Sequence, residues 1–481
     1  MIFRGLLLLL LAVVVALPLG CSDAPPVGPA PGVSRPSLLL VVIDTLRADA
    51  VSAYGEVRGT TPAFDELAQA GRLHTRAYAP SPWTLPSHAS LLSGLGVVDH
   101  GVGVRGRVVL PSEVETLAER LQAAGYQTAA FSENALVSGD FGFDQGFDRF
   151  AVRTAEEQLA AGQKMTIDVQ AELSAWLDEI DPGRPFFVFV NLYDPHEPYA
   201  VRAENPFLPA GLSAADAQRL GAGGRTSHLI CDRLPSPSEL GLLRGLYLGE
   251  VAEADRKLGA VLATLEARGV EELVTVVTSD HGEHFGERQL LDHEFSIEEE
   301  VLRVPLVIHR PGSAAEASDL PIGLSDVTRL LLTWAGASTD GLEAGELDHE
   351  TEGAAPAPLL AVYSDSRQRL PAAMDPVAAE KVRDFKRQGC DDADRVFGDM
   401  LALTRYPFRL KWYARYPSEL VDLRGRRGDF SPATARIAAA HAGLEAEAQG
   451  FARRLGLGEG AQTLPLTENR EEALRSLGYI D

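Results

Sequence analysis

Apolar residues occur in short continuous runs that are separated by longer segments of mixed polarity. The first run covers residues 38–43, consists of leucine, valine and isoleucine, and stops at Asp44. A run of this composition and length is typical of a strand that is buried on both faces of a parallel sheet. Similar runs predict further strands over residues 127–132, 186–192, 273–278 and 304–308.

Helical segments are predicted between these strands. Residues 113–124 end at Gly125 and residues 242–268 end at Gly269, and glycine commonly follows the last residue of a helix. Alternation of strands and helices predicts a doubly wound α/β fold with a mostly parallel sheet. Ligands bind beyond the carboxyl ends of the strands in such sheets, so the residues at those ends are the first candidates for function.

The pattern changes after about residue 354. A strand is predicted over residues 359–363, and a hairpin over residues 408–413 and 419–423, whose connection contains a Tyr-Pro turn. Residues 312–321 and 336–358 have the composition of loops. We therefore expect two parts, a catalytic α/β domain over residues 37–354 and a smaller α+β region over residues 355–481.

The first residues of the chain have the pattern of an export signal. Arg4 precedes an apolar run over residues 6–17, and Gly20 stands directly before Cys21. The run is too short for a bilayer, which needs about 20 residues. We expect a signal peptide over residues 1–20, lipidation at Cys21 as in bacterial lipoproteins, and a proline-rich tether over residues 21–36. The mature protein would be a periplasmic or cell-surface lipoprotein whose only contact with the membrane is its lipid anchor, with simple secretion as the alternative.

Composition narrows the possible functions. The chain has 481 residues, a formal net charge of −24 and 45% hydrophobic residues, which is the mix of a folded globular protein. An acidic chain without clustered lysine and arginine is not expected to bind nucleic acid, because that requires neutralisation of phosphates. The three cysteines, Cys21, Cys231 and Cys390, fit neither a disulfide framework nor a thiolate zinc site.

Ionisable residues stand at two of the predicted strand ends. Asp44 follows the first strand, and Asp280 and His281 follow the strand over residues 273–278. Two carboxylates and an imidazole suit a divalent cation. An isolated aspartate after a strand is more often a turn or cap residue. Adjacent ionisable residues at a buried strand end are costly unless something pairs them, which favours the cation site.

A hydroxyl group stands where another helix is predicted to begin. The segment over residues 80–94 places Thr84 at the helix start and Gly94 at its end. Threonine is a good N-cap and proline is favoured in the first turn, so a purely structural role is plausible. The same position also favours an alkoxide and binds anions, because the field of a helix is positive at its N-terminus. Capping and nucleophilic attack are compatible.

Several segments together resemble the sulfatase family of the alkaline phosphatase superfamily. They are residues 43–49, 84–94, 194–199, 279–286 and 303–306, with residues 474–479 resembling the end of many bacterial members. The resemblance implies an α/β ester hydrolase with a nucleophile and a bound divalent cation, which could be Ca, Mg, Mn or Zn. Carried over by position, it implies these roles: Thr84 as nucleophile and metal ligand, Asp44, Asp280 and His281 as metal ligands, His196 and His293 as catalytic and substrate-binding groups, and His88 as a substrate-binding group.

The chain departs from the family pattern at several of these positions. Thr45 replaces a second aspartate ligand, His88 replaces an arginine, and His293 stands where many sulfatases have a lysine. Sulfatases convert a cysteine or serine at the position of Thr84 to formylglycine, and threonine cannot undergo this conversion. Direct attack by Thr84 is therefore expected, as in the phosphoethanolamine transferases and lipoteichoic acid synthases that this residue set also resembles.

Three functions remain open at this point. The first is a hydrolase of anionic sulfate or phosphate esters that forms a covalent intermediate on Thr84. The second is a phosphodiesterase or a phosphoethanolamine- or phosphoglycerol-type transferase, and the third is a catalytically silent binding protein. Among the other histidines only His284 is a candidate for a place near the site, and residues 298–300 are interpreted as a solvated helix face. No protein partner can be inferred.

Overall fold

The computed structural model describes residues 35–153, 166–202, 204–211, 215–216, 235–293, 295–342, 358–364, 398–414, 416–423 and 435–457. Every described residue belongs to one compact unit, Arg35–Asp481. The predicted signal peptide, Cys21, nearly all of the tether and the motif at residues 474–479 lie outside the described residues. Within the described ranges, no helix combines the length and apolar character that crossing a bilayer requires.

Strands and helices alternate along most of the chain. The strands are β1 Ser37–Ile43, β2 Arg72–Tyr78, β3 Gln127–Ser132, β4 Arg149–Val152, β5 Phe186–Leu192, β6 Leu273–Thr278, β7 His284–Phe285, β8 Leu291–Asp292, β9 Arg303–His309, β10 Glu316–Ser318, β11 Ile322–Gly323, β12 Leu359–Tyr363, β13 Met400–Arg405, β14 Phe408–Tyr413 and β15 Glu419–Asp422. The helices are α1 Pro62–Ala70, α2 Thr84–Ser93, α3 Val97–His100, α4 Leu117–Ala123, α5 Val169–Glu179, α6 Pro237–Ala267, α7 Glu299–Leu302, α8 Leu324–Ala335 and α9 Ala435–Leu455.

A nine-stranded sheet has the order β10-β2-β9-β6-β1-β5-β3-β4, with β11 also paired to β2. Strands β6, β1, β5, β3 and β4 are parallel to one another. Neighbouring residues of β1 point to opposite faces, so Leu40 packs into one core and Val41 into the other. Helices α2, α4 and α8 contribute to the first core and α1, α5 and α6 to the second. The predicted doubly wound, mostly parallel α/β fold is confirmed.

Strand β9 departs from the parallel arrangement. The predicted strand over residues 304–308 forms, but it runs antiparallel to both β6 and β2. Thr278 at the end of β6 lies opposite Leu306, near the start of β9. The intervening chain therefore stays at one edge of the sheet instead of crossing back over it, so the next strand has to run in the opposite direction.

Helix boundaries follow capping residues more closely than apolar patterning. Helix α4 begins at Leu117 because Thr116 forms a capping box with Glu119, so the predicted start at residue 113 is wrong. Helix α6 begins at Pro237, before the predicted residue 242, because Ser236 forms the same kind of cap. The predicted loop over residues 312–321 also contains the short strand β10.

A second sheet with the order β12-β13-β14-β15 is antiparallel throughout. The predicted hairpin is confirmed as β14 and β15, while β13 was not predicted. Two buried cations of β14 connect this sheet to the start of α7, because Arg409 pairs with Glu299 and Lys411 pairs with Glu298. The interpretation of residues 298–300 as a solvated face is wrong for Glu298, which is buried. The boundary between residues 354 and 355 stays a prediction.

Candidate active site

The sheet topology brings the predicted strand-end residues together. Strands β1 and β6 are parallel neighbours, with Val42 paired to Thr278. Asp44 and Asp280 each come two residues after that pair, so they lie side by side at the same edge of the sheet. All three predicted cation ligands, Asp44, Asp280 and His281, are fully buried.

These three side chains converge on one point. The Nε2 atom of His281 lies 3.3 Å from Oδ2 of Asp280 and 3.9 Å from Oδ1 of Asp44. One ligand atom from each residue can be chosen so that all lie within 4.8 Å of one another. Nδ1 of His281 donates to the carbonyl oxygen of Gly282 at 3.0 Å, because a carbonyl can only accept. The lone pair of a neutral His281 is therefore on Nε2, toward the carboxylates.

Hydrogen bonds hold one oxygen of each of the two carboxylates. Oδ2 of Asp44 accepts from Nδ2 of Asn134 at 2.6 Å. Oδ1 of Asp280 accepts from the backbone N–H groups of Thr45 at 3.1 Å and His281 at 2.9 Å. This leaves Oδ2 of Asp280 without a hydrogen bond from any residue that the structure describes. Buried carboxylates in such proximity repel each other and a bound cation would relieve this repulsion, so the donor set fits a divalent metal ion.

Thr45 adopts a strained backbone conformation between these ligands. Its φ of 55° lies in the left-handed region, where a β-branched residue is unusual. The conformation directs the Thr45 N–H toward Asp280, and the hydroxyl of Tyr247 donates to the Thr45 carbonyl at 2.8 Å. Strain of this kind concentrates at functional sites.

Thr84 lies at the start of α2, as predicted, but it does not cap the helix. The capping position is Trp83, which makes no side-chain cap bond, and Thr84 is the first helical residue. The capping role considered for Thr84 is therefore wrong. Oγ1 of Thr84 lies 3.5 Å from Nε2 of His281, so the hydroxyl is adjacent to the carboxylate and imidazole cluster. The positive end of α2 favours negative charge on this oxygen.

His196 and His293 line the same site. The ring of His196 stacks on Tyr193 with centroids 4.7 Å apart and meets His293 edge-on at 5.1 Å. The ring of His293 in turn stacks on His281. Nδ1 of His196 donates to the carbonyl oxygen of Glu197 at 2.6 Å and also lies 3.1 Å from the hydroxyl of Tyr193.

Carboxylates beside the ring of His293 favour its cationic form. Burial disfavours its charged form, but the carboxylate of Asp292, at 2.6 Å from Nδ1, and that of Glu283 outweigh burial. Together they raise the pKa of His293 well above its ordinary value. A cationic imidazole beside the cluster is suited to hold an anionic ester oxygen.

His88 lies behind the site and not on an open surface. Its Nδ1 donates to the backbone oxygen of Thr84 at 3.0 Å, and its ring meets Phe143 and Phe189 edge-on. The side chain is fully buried, and burial lowers its pKa despite the nearby Asp280. Contact between His88 and a substrate stays a prediction, and the observed contacts are with the helix backbone, with core aromatic rings and with Asp280, whose Oδ2 lies 3.5 Å from Nδ1 of His88.

Sequence patterns did not identify several residues of the site. Asn134, which holds Asp44, follows β3 by two residues, so the strand-end argument could have found it. Glu283 and Asp292 flank His293 and could have been noticed from their positions close to His281 and His293. His284 lies in β7 opposite Asp292, in the hairpin that precedes His293.

A mostly parallel sheet with this cluster beyond its strand ends defines an alkaline-phosphatase-like α/β protein. A sequence model of the sulfatase family matches residues 36–337, and the chain belongs to the sulfatase family. It is accordingly a hydrolase of ester bonds. Sulfatases are generally metal-dependent, and Asp44, Asp280 and His281 are residues that could hold the ion.

Individual relatives act on more than one kind of ester. The multifunctional alkaline phosphatase superfamily protein PehA of Trinickia caryophylli is 26% identical over 64% of this chain and 75% of its own length. An arylsulfatase of Clostridium perfringens is 23% identical over 66% of this chain and 79% of its own length. The solved phosphonate monoester hydrolase of Agrobacterium radiobacter has a TM-score of 0.62 at 23% identity, over 90% of this chain and 98% of that one, which shows the shared fold.

Proposed function

We propose that the chain is a metal-dependent hydrolase of anionic esters in which Thr84 is the nucleophile, with phosphorus esters as the preferred substrates over sulfate esters. The observation that carries this proposal is the position of the Thr84 hydroxyl, 3.5 Å from Nε2 of His281. A hydroxyl that does not cap its helix yet lies buried against a cation-binding cluster is suited to attack.

Each residue of the site has a separate role in the proposed reaction. Asp44, Asp280 and His281 would hold the cation, which when bound would supply Lewis acidity and lower the pKa of the hydroxyl. Oγ1 of Thr84 loses its proton to water and attacks phosphorus in line with the leaving group, giving a phosphothreonine while the bond to the leaving oxygen breaks. His196, in its doubly protonated form, donates its Nε2 proton to that oxygen, and His293 holds a nonbridging oxygen. Water then attacks the phosphothreonine and gives a proton to His196, the bond between phosphorus and Oγ1 breaks, and Oγ1 regains a proton from water as the phosphate or phosphate monoester leaves.

Two observations support phosphorus over sulfur. Threonine cannot become the formylglycine on which sulfatases depend, so the chain has to use its hydroxyl directly. In addition, relatives and structural neighbours include a multifunctional alkaline phosphatase superfamily protein and a phosphonate monoester hydrolase. A transferase would use the same phosphothreonine with an alcohol in place of water.

The test compares four substrate classes with purified protein comprising residues 22–481. Activity is measured on an aryl phosphate, a phosphodiester, a phosphonate monoester and an aryl sulfate, with each of Ca, Mg, Mn and Zn. We expect phosphorus esters to be hydrolysed faster, Thr84→Ser to retain part of the activity, and Thr84→Ala to lose it. Acid-quenched protein should contain phosphothreonine at residue 84. Full activity of Thr84→Ala would contradict the proposal, and absence of turnover with every substrate would favour a silent binding protein.

Export and lipid anchoring belong to the same proposal. The apolar run over residues 6–17 and the Gly20-Cys21 pair support cleavage before Cys21 and acylation of its side chain. A proline-rich segment then separates the catalytic unit from the membrane surface, which would otherwise repel a protein of net charge −24.

A further inference from the structure

We infer that Asp292 is a positioning residue that fixes the ring of His293 so that its Nε2 faces the reacting ester. The inference rests on the proposed function, because it assigns His293 to the bound ester. It adds a residue that neither the family resemblance nor the sequence pattern had singled out.

One carboxylate oxygen of Asp292 makes two short contacts with His293. Oδ1 of Asp292 lies 2.6 Å from Nδ1 of His293 and also accepts from the backbone N–H of His293 at 2.7 Å. Asp292 has a φ of 68°, in the left-handed region, where aspartate and asparagine are the non-glycine residues found most often. The backbone therefore turns the carboxylate back onto the side chain of the following residue.

The surroundings of the ring set its orientation. Oε2 of the buried Glu283 lies 3.8 Å from Nδ1 of His293, so carboxylates occupy the Nδ1 side of the ring. The stacked His281 and the edge-on His196 contact other parts of the same ring. With Nδ1 held against these carboxylates, the ring cannot rotate freely, and its Nε2 edge is the one that we assign to the ester.

In the two neighbouring histidines Nδ1 also faces a hydrogen-bond acceptor, but that acceptor is a neutral backbone carbonyl and not a carboxylate. Nδ1 of His196 donates to the carbonyl of Glu197, and Nδ1 of His281 donates to the carbonyl of Gly282. Among the contacts that the structure describes, Nδ1 of His293 is the one of these three that lies against a carboxylate. Carboxylates that orient a functional histidine in this way are worth about 10- to 100-fold in the metal sites where they have been tested.

A cation held by Glu283, Asp292 and His293 would be the competing explanation, since these groups also lie within 4.8 Å of one another. The direct contact between the Asp292 carboxylate and the His293 ring, 2.6 Å between Oδ1 and Nδ1, accounts for the proximity without a cation. Tyr199 and the backbone of His284 donate further hydrogen bonds to Glu283. Measured metal content separates the two explanations, because a positioning residue does not change the number of bound ions.

The main experiment is a double-mutant cycle in the metal-loaded protein. Asp292→Gly removes the carboxylate while tolerating the positive φ, and we expect it to lower kcat/KM for a phosphodiester about 10- to 100-fold through kcat. The same substitution in the His293→Ala background should change kcat/KM less than about threefold, because its effect passes through His293. Asp292→Asn, which keeps an acceptor oxygen, should retain more activity than Asp292→Gly. Asp178→Ala, which removes an exposed carboxylate on α5, is the matched control.

A second measurement does not depend on activity, so that failure of this inference and failure of the proposed function can be distinguished. Crystal structures of the metal-loaded proteins should show one ring orientation of His293 in the wild type and a rotated or disordered ring in Asp292→Gly. Additive losses in the cycle, an unchanged ring orientation in Asp292→Gly, or loss of a bound ion in that variant would each overturn the inference.

Discussion

The imidazole of His293 stacks on the imidazole of His281, with 4.3 Å between the ring centroids and 28° between the ring planes. Nε2 of His281 faces Asp44 and Asp280, and Nδ1 of His293 contacts Asp292. The stack therefore places the candidate cation site directly beside a cationic group. An anionic ester bound there would contact positive charge on both sides, which favours the extra negative charge that develops during phosphoryl or sulfuryl transfer.

The first prediction concerns the metal ligands. Asp44→Asn and Asp280→Asn should each lower bound metal and activity together, because each removes a charged ligand while keeping the shape of the side chain. Asn134→Ala should weaken metal binding by about 10- to 100-fold, since it frees the oxygen of Asp44 that Asn134 holds. Metal content after dialysis and turnover are measured in parallel, with Asp178→Asn as a surface control. Full metal content with unchanged turnover in either aspartate variant would contradict the metal assignment.

The second prediction concerns His196 as the proton donor. If His196 protonates the leaving oxygen, His196→Ala should lower the rate about 10²- to 10⁴-fold with a poor alkoxide leaving group and much less with an activated aryl leaving group. The measurement is a series of leaving groups of increasing pKa, compared between wild type and variant. Equal losses across the series would exclude acid catalysis by His196 and leave only a role in binding.

Part of the fold could be predicted because the apolar pattern of a strand buried on both faces is visible in the local sequence. Residues 38–43 are continuously apolar, and a parallel strand buried on both faces requires that pattern. Strand β2 was not predicted because its sequence, Arg72–Tyr78, carries charged and polar residues. Its position between β9 and β10 comes from long-range pairing, which no local pattern contains. The direction of β9 depends on such pairing too.

The site was predictable only in part. Asp44, Asp280 and His281 could be found because each follows a recognisable buried strand. Asp292 could not be assigned from sequence, because its effect depends on a left-handed backbone that turns its carboxylate onto His293. The role of His88 stays a prediction: its ring is buried, bonds to the backbone of Thr84 and lies 3.5 Å from Oδ2 of Asp280.

A third prediction tests the lipid anchor. Cys21→Ala should release the protein from the membrane fraction, because acylation requires the cysteine thiol and stable anchoring requires more than one acyl chain. The measurement is fractionation of cells that express the full chain, together with the intact mass of the mature protein. Cys231→Ala is a matched control that leaves the predicted acylation site intact. An unmodified N-terminus at a residue other than Cys21 would contradict the anchor while remaining compatible with secretion.

A fourth prediction concerns the ion pairs between the small sheet and α7. Lys411 of β14 is buried and pairs with the buried Glu298. Lys411→Met should lower the free energy of unfolding by about 3 kcal/mol, because it removes the closest cation from a buried carboxylate. Adding Glu298→Gln to that variant should recover part of the loss, which urea denaturation would detect. Additive losses in the double variant would show that the two side chains act independently.

The last prediction concerns the acid sensitivity of His74 in β2. The ring is fully buried, and neither of its nitrogens has a hydrogen-bond partner among the residues that the structure describes. Burial, with a smaller contribution from the charge of Arg72, lowers the pKa of His74 from 6.5 to about 4. The unfolded chain therefore binds this proton more readily than the folded chain does. Above pH 6.5 the residue has no effect on the pH dependence of stability.

As the pH falls from 6.5 through 4, protonation of His74 in the unfolded chain should remove up to about 3 kcal/mol of stability, at 1.36 kcal/mol for each unit of pKa shift. His74→Phe has no titratable group and gives up no hydrogen bond, so its unfolding free energy should fall less steeply over the same interval. The measurement is urea denaturation of both proteins between pH 4 and pH 7. Parallel curves would show that His74 takes up its proton equally well in the folded protein, and the assigned effect of burial would then be wrong.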